Sequence, residues 1–171
     1  FNTNKTNLNL RLLLARMYSL NSQLDKTVSL LSDVEGNEAS PQAFWNLKGQ
    51  ALIATNNVED ATAFFDRWLS FYPQDKNAVL GKLLIVDSQK QFDQGLTLTN
   101  KVLAKRPDAQ LTLLKAYFHS RLGQAKPAWE IINSTADDVK ALPFVRGVIA
   151  RLHLIDKAPE QAVEHAKAAY D

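Results

Sequence analysis

Cysteine is absent from the 171 residues. That excludes a disulfide framework, a thiolate zinc site, an iron–sulfur cluster and a thiol nucleophile. Glycine and proline are scarce, six of each, which argues against collagen-like, disordered and turn-rich all-β chains. No apolar run approaches the eighteen or so residues of a membrane span. Charge of one sign is also lacking: 20 Lys and Arg against 18 Asp and Glu leave a net charge of +2. That is too weak to point to nucleic acid or to a membrane held by charge. What the chain has is 46% apolar residues, enough in a chain of this length to bury a sizeable core. It opens on Phe1 without a basic stretch and apolar h-region, so no signal peptide is legible. Residues 1–7, rich in Asn, read as a linker or a frayed edge.

The informative feature is an internal period. Thr27, Ala61, Gly95, Ala128 and Ala162 are spaced 34, 34, 33 and 34 apart. Ala15, Gly49, Ala116 and Ala150 form a second series in the same register, with Leu83 the one large exception. Pro73 and Pro107 are also 34 apart, which puts the single-residue deletion just after Pro107. Apolar residues recur at helical spacing within each period, as in Leu10, Leu13, Leu14 and Met17, or Ala61, Phe64, Phe65 and Trp68. First helices are expected over residues 8–20, 42–54, 77–88, 110–122 and 144–155. Second helices are expected over 24–34, 58–71, 92–104, 125–133 and 160–170. Loops of about three to six residues make neighbours antiparallel. Small residues allow close backbone approach where paired helices cross, and each pair buries its stripe on the next. The expected fold is all-α: about five helix-turn-helix repeats over 8–171, at 8–41, 42–75, 76–108, 109–142 and 143–171. The last helix carries Ala162, Val163, Ala166 and Ala169 with no helix after it, so continuation in a longer array is expected, or packing on another copy.

This pattern resembles the tetratricopeptide repeat (TPR) family. Trp45, Gly49, Ala61, Phe65 and Pro73 match the family's Trp, Gly, Ala, Phe and closing Pro, while Lys48 and Leu52 depart at its Leu and Tyr places. The resemblance implies a right-handed α-α superhelix whose first helices line a concave face that binds a peptide or a partner protein. On that reading the groove collects Leu12, Arg16, Asn46, Gln50, Leu80, Leu84, Asp87, Leu113, Tyr117, Arg121, Gly147 and Arg151. Arg16, Arg121 and Arg151 would be anchors for an acidic or C-terminal group. The places of the family's chaperone-tail clamp hold Leu12, Arg16, Leu47, Asn77 and Gly81. Only one of these is cationic, so no clamp is expected.

The sequence contains no HExxH, GxSxG, GxxxxGK[ST] or GxGxxG motif. His119 and His153 share a place in successive periods, but stacked helices lie roughly 10 Å apart, too far for joint metal ligation. Glu164 and His165 point different ways on a helix. The acid pairs Glu59-Asp60 and Asp137-Asp138 suit helix starts. Trp45, Trp68 and Trp129 read as core. No enzyme activity, cofactor or metal is expected. The expected function is a protein-binding scaffold or adaptor, with self-association through the terminal repeat as a further option. The alternative is a regulatory TPR domain that controls an attached catalytic or DNA-binding domain. The resemblance is greatest to divergent bacterial TPR proteins, often lipoproteins, of envelope assembly, exopolysaccharide export or protein sorting. That leans towards the periplasm or envelope.

Overall fold

The computed structural model describes the backbone of residues 3–170 and the side chains of residues 8–170. All regular structure among them is helical. The chain divides into two units, up to Gln89 and from Lys90 onward. The first holds α1 (Thr3–Leu20), α2 (Leu24–Leu31), α3 (Gln42–Ala54), α4 (Val58–Phe71) and α5 (Lys76–Ser88). The second holds α6 (Phe92–Leu103), α7 (Ala109–Arg121), α8 (Ala125–Asn133), α9 (Asp137–Lys140), α10 (Pro143–Ile155) and α11 (Pro159–Lys167). The division falls between the two helices of the third expected repeat. No helix of the described residues is long and apolar enough to cross a membrane.

The small-residue series marks the helix crossings. Thr27, Ala61, Gly95, Ala128 and Ala162 are all buried, as are Ala15, Gly49, Ala116 and Ala150. Large rings fill the space opposite. A Cβ on Gly81 would stand 2.1 Å from the Phe65 ring, and one on Gly95 2.5 Å from the Phe118 ring. The core of the first unit is aromatic: Phe44, Trp45, Phe64, Phe65 and Trp68, with Trp45 and Trp68 stacked at 5.6 Å. That of the second is mostly aliphatic, built on Ala116, Ile132, Val145, Val148 and Leu152. Trp129 is half-buried at its edge, and its Nε1 donates to Asp156 at 2.7 Å.

Helix ends repeat as regularly as helix crossings. Ser22, Asn56, Lys90, Gly123 and Lys157 all have positive φ, between 53° and 73°, and stand 34, 34, 33 and 34 residues apart. Each follows the first helix of a pair. The next amide donates back five residues: Gln23 to Tyr18 at 2.8 Å, Asn57 to Leu52 at 3.2 Å, Gln124 to His119 at 2.9 Å and Ala158 to His153 at 2.8 Å. This Schellman geometry satisfies carbonyls that a helix end leaves open and reverses the chain. Asp75 and Asp108 cap α5 and α7, accepting from the amides of Ala78 and Leu111. They are 33 apart while Pro73 and Pro107 are 34 apart, which places the deletion between Pro107 and its cap.

Several expectations need correction. The helical backbone starts at Thr3, so residues 3–7 are part of α1 rather than a linker; residues 1 and 2 lie outside the described ones. The helices α2 and α11 end at Leu31 and Lys167, three residues early. The segment 32–41 is a ten-residue loop, longer than expected. Side chains hold it in place of helix ladders. Lys48 Nζ donates to the carbonyls of Leu31 (2.8 Å), Ser32 (3.3 Å) and Val34 (3.0 Å). Arg11 donates to Leu30 and pairs with Asp33, Arg67 donates to Gly36, and the Tyr72 hydroxyl donates to Glu38 at 2.6 Å. Lys48, which departs from the family pattern, thus caps the C-terminus of α2, where the helix dipole favours a cation. Burial lowers its pKa against the pull of nearby carboxylates. The second long connection, between α8 and α10, contains the unexpected single turn α9, with Asp137 and Asp138 in its first turn.

Candidate interaction groove

Asx caps start α5 and α7, αL turns follow the first helices of the pairs, and these helices carry the expected groove residues. In the first unit, Asn46 and Gln50 on α3 and Leu80 and Leu84 on α5 are each one turn apart and share a helix face. The structure brings all four together around a cleft of about 160 Å³, with Ile53 and Asn77 on its walls and Phe65, Trp68 and Gly81 beneath. Asn77 Nδ2 donates to Asn46 Oδ1 at 3.1 Å, which links the two helices across the cleft. Leu84 is 57% exposed on its rim. It also borders a second, smaller cleft with Ile53, Val58 and Ile85. Ile53 and Asn77 were not among the expected groove residues. The signal for them was one helical turn: Asn77 precedes Leu80 by three residues, and Ile53 follows Gln50 by three.

The remaining first-unit residues divide. Arg16 is exposed and Asp87 half-buried. Leu12 is only 8% exposed and packs in the core with Ala15 and Leu31, so it is not available to a partner. It was misjudged because α1 is apolar on both sides, and helical spacing alone does not say which side is covered.

In the second unit, Leu113 and Tyr117 are half-buried, Gly147 and Arg151 exposed. Tyr117 lies 5.7 Å from the ring of Phe144, which is 45% exposed. Arg121 differs from the expected anchor. Its Nη1 donates to the Tyr117 hydroxyl at 2.6 Å, and its guanidinium sits 4.2 Å from the Phe92 ring centroid. A cation stacked on one ring and bonded to another braces the unit and offers little to an incoming carboxylate.

His119 and His153 have separate surroundings. His119 Nδ1 meets Gln124 Oε1 at 2.7 Å. His153 stands edge-on to Trp129 at 5.2 Å and stacks on His165 at 5.4 Å and 17°. Burial and the neighbouring His153 lower the His165 pKa, Arg146 lowers it further, and Glu164 opposes them. Among the described residues no group of three or more His, Asp or Glu is placed to hold a metal ion.

No family model matches the sequence, and no curated protein matches it. Solved structures do. MamA from Desulfovibrio magneticus RS-1 superposes with a TM-score of 0.77 at 17% identity, over 96% of this chain and 93% of that one. MamA AMB-1 gives 0.70 at 18% identity, over 96% and 98%. A tetratricopeptide repeat protein from Parabacteroides merdae gives 0.63 at 18% identity, over 94% of this chain and 63% of that one. The fold is TPR-like. The likeness holds over nearly the full chain at an identity too low to carry function across, so it establishes the helical solenoid and leaves the site to its own chemistry.

Proposed function

We propose that this chain is a non-enzymatic scaffold that binds an extended segment of a partner protein along the first helices of its repeats. The observation that supports it most is the α3–α5 cleft. Three carboxamides, Asn46, Gln50 and Asn77, surround it beside Ile53, Leu80 and Leu84. The Asn77–Asn46 bond uses one donor and one acceptor lone pair, leaving further donors and acceptors on both amides. Carboxamides both donate and accept, so they match the alternating N–H and C=O of a peptide main chain. The exposed Leu84 and its neighbours offer contact to an apolar side chain. The cleft lining holds no charged residue, so the reading favours a neutral, apolar stretch of peptide over a carboxylate tail. Arg16 and Arg151, both exposed, remain candidate contacts outside this cleft. So do Asp87, Leu113 and Tyr117, each half-buried. A role in bacterial envelope assembly, exopolysaccharide export or protein sorting belongs to this same proposal and rests on the family resemblance alone.

The test is a screen of displayed peptides against wild-type chain, with the selected peptides titrated against Leu84→Asp and Ala63→Lys. Leu84→Asp should weaken binding at least about tenfold, roughly 1.4 kcal/mol, with helicity unchanged by circular dichroism. Ala63→Lys, exposed on the second helix α4 and outside the cleft lining, should bind as wild type. Equal affinities for all three proteins would sink the reading.

A further inference from the structure

The α3–α5 cleft has a counterpart in the second unit, and its chemistry is different. Two periods on, 67 residues, Asn46 and Gln50 are replaced by Leu113 and Tyr117 on α7. Asn77, Leu80 and Leu84 are replaced by Phe144, Gly147 and Arg151 on α10. The helices α7 and α10 pack together as α3 and α5 do. In the first unit Asn77 bonds across to Asn46. In the second, Phe144 leans on Tyr117, ring centroids 5.7 Å apart and planes tilted by 42°. The place of Phe144 holds Asn9, Ala43, Asn77 and Gln110 in the earlier repeats, polar or small and exposed in each. A phenylalanine there puts an aromatic ring where water is met throughout the repeats. One turn further on, Gly147 leaves empty the place that Leu80 fills, with nothing within 4 Å of where its Cβ would stand. Phe144, Gly147 and Arg151 follow at three and four residues and share one helix face.

Charge says what fits this shelf. The helices α7 and α10 contain Lys115, Arg121, Arg146 and Arg151 and neither Asp nor Glu. Arg121 is engaged by Tyr117 and Phe92, and Arg146 donates to the Ala141 carbonyl at 3.0 Å. Arg151 is exposed, and among the described residues it has no hydrogen-bond or ion-pair partner. It stands where Leu84 rims the first-unit cleft. We propose that the α7–α10 shelf receives an aromatic side chain of a partner segment whose flanking residues are acidic. The incoming ring lies against Tyr117 and Phe144 in the space beside Gly147, and a flanking carboxylate pairs with the Arg151 guanidinium. Tilted and edge-on ring contacts favour an aromatic guest over an aliphatic one. The planar fork of arginine suits a carboxylate. Tyr117 is already held by Arg121 and stands edge-on to Phe118, so little ordering opposes binding. The inference rests on the reading that the first helices bind a partner segment, and it departs from that reading in the ligand. The α3–α5 cleft takes a neutral stretch, the α7–α10 shelf an acidic, aromatic one.

The test is titration of a capped peptide, a central Phe flanked on both sides by Asp and Glu, into the isotopically labelled full chain. Amide shifts in NMR should centre on α7 and α10 and saturate with a Kd below about 1 mM. Replacing the Phe by Ala, or the acids by Asn and Gln, should each weaken binding at least about tenfold. Gly147→Leu, which restores the side chain of the first unit, and Arg151→Gln should each do the same, with helicity unchanged. Lys167→Gln, which removes an equal charge on the second helix α11, should bind as wild type. Absence of saturable shifts on α7 and α10 overturns the proposal. So does equal affinity of wild type and either Gly147→Leu or Arg151→Gln. Shifts centred on α3 and α5 overturn it as well and leave the α3–α5 reading standing, since that reading fails separately, in the Leu84→Asp comparison.

Discussion

Replacing Gly81 by alanine should destabilise the chain, and replacing Gly147 by alanine should stabilise it, although both glycines are helical. Alanine is intrinsically the better helix former by about 0.5–1 kcal/mol. At Gly147 nothing lies within 4 Å of the added methyl, so that gain should appear in full. At Gly81 the methyl would stand 2.1 Å from Cε1 and 2.3 Å from Cζ of Phe65. Ordinary carbon contacts need about 3.5–4.0 Å. The ring has no easy retreat: it is 2% exposed, stacks on Trp68 at 5.8 Å, and is itself 3.0 Å from the Cβ position of Gly49. Overpacking of this kind costs about 1–3 kcal/mol. After the helix gain is subtracted, Gly81→Ala should lose about 1–2 kcal/mol net. Urea unfolding followed by fluorescence and circular dichroism checks it, since Trp45 and Trp68 report on the unit of Gly81 and Trp129 on that of Gly147. Phe65→Leu in the Gly81→Ala background should restore part of the loss, a coupling a double-mutant cycle detects. If Gly81→Ala were as stabilising as Gly147→Ala, the close packing of ring on backbone would be refuted.

Lys48→Met keeps the apolar stem but leaves the carbonyls of Leu31, Ser32 and Val34 without their donor, and should cost about 1–3 kcal/mol in urea unfolding. Lys157→Gly relieves a left-handed residue worth about 1–2 kcal/mol at the expense of unfolded-state freedom of about 0.5–1 kcal/mol, so a small rise in thermal midpoint is expected. His165 binds protons less readily folded than unfolded. Its contribution is therefore intact above its ordinary pKa of about 6.5 and declines as pH falls through the lowered folded value. Melting of the second unit should drop between about pH 7.5 and pH 5, and His165→Gln should flatten that dependence.

The period of 34 residues was legible because stacked helix pairs repeat one packing problem, and its solution is a small residue at each crossing. Gly49, Ala61 and Ala116 are that solution, and their spacing made the all-α repeat fold legible. The chain reversals were as periodic but hidden, since only Gly123 among the five left-handed residues is glycine; Ser22, Asn56 and Lys157 are held there by bonds to the preceding helix. Lys48 read as a departure from the repeat, and became a helix cap once the end of α2 lay beside it. The groove was legible where neighbours are one turn apart, as for Leu80 and Leu84, and misread where coverage decides. Leu12 and Leu10 have the same chemistry on the same helix, yet one is core and the other surface. Periodicity is a property of the chain and can be read from it. Which face of an apolar helix is covered depends on helices many residues away, and only the tertiary structure decides it.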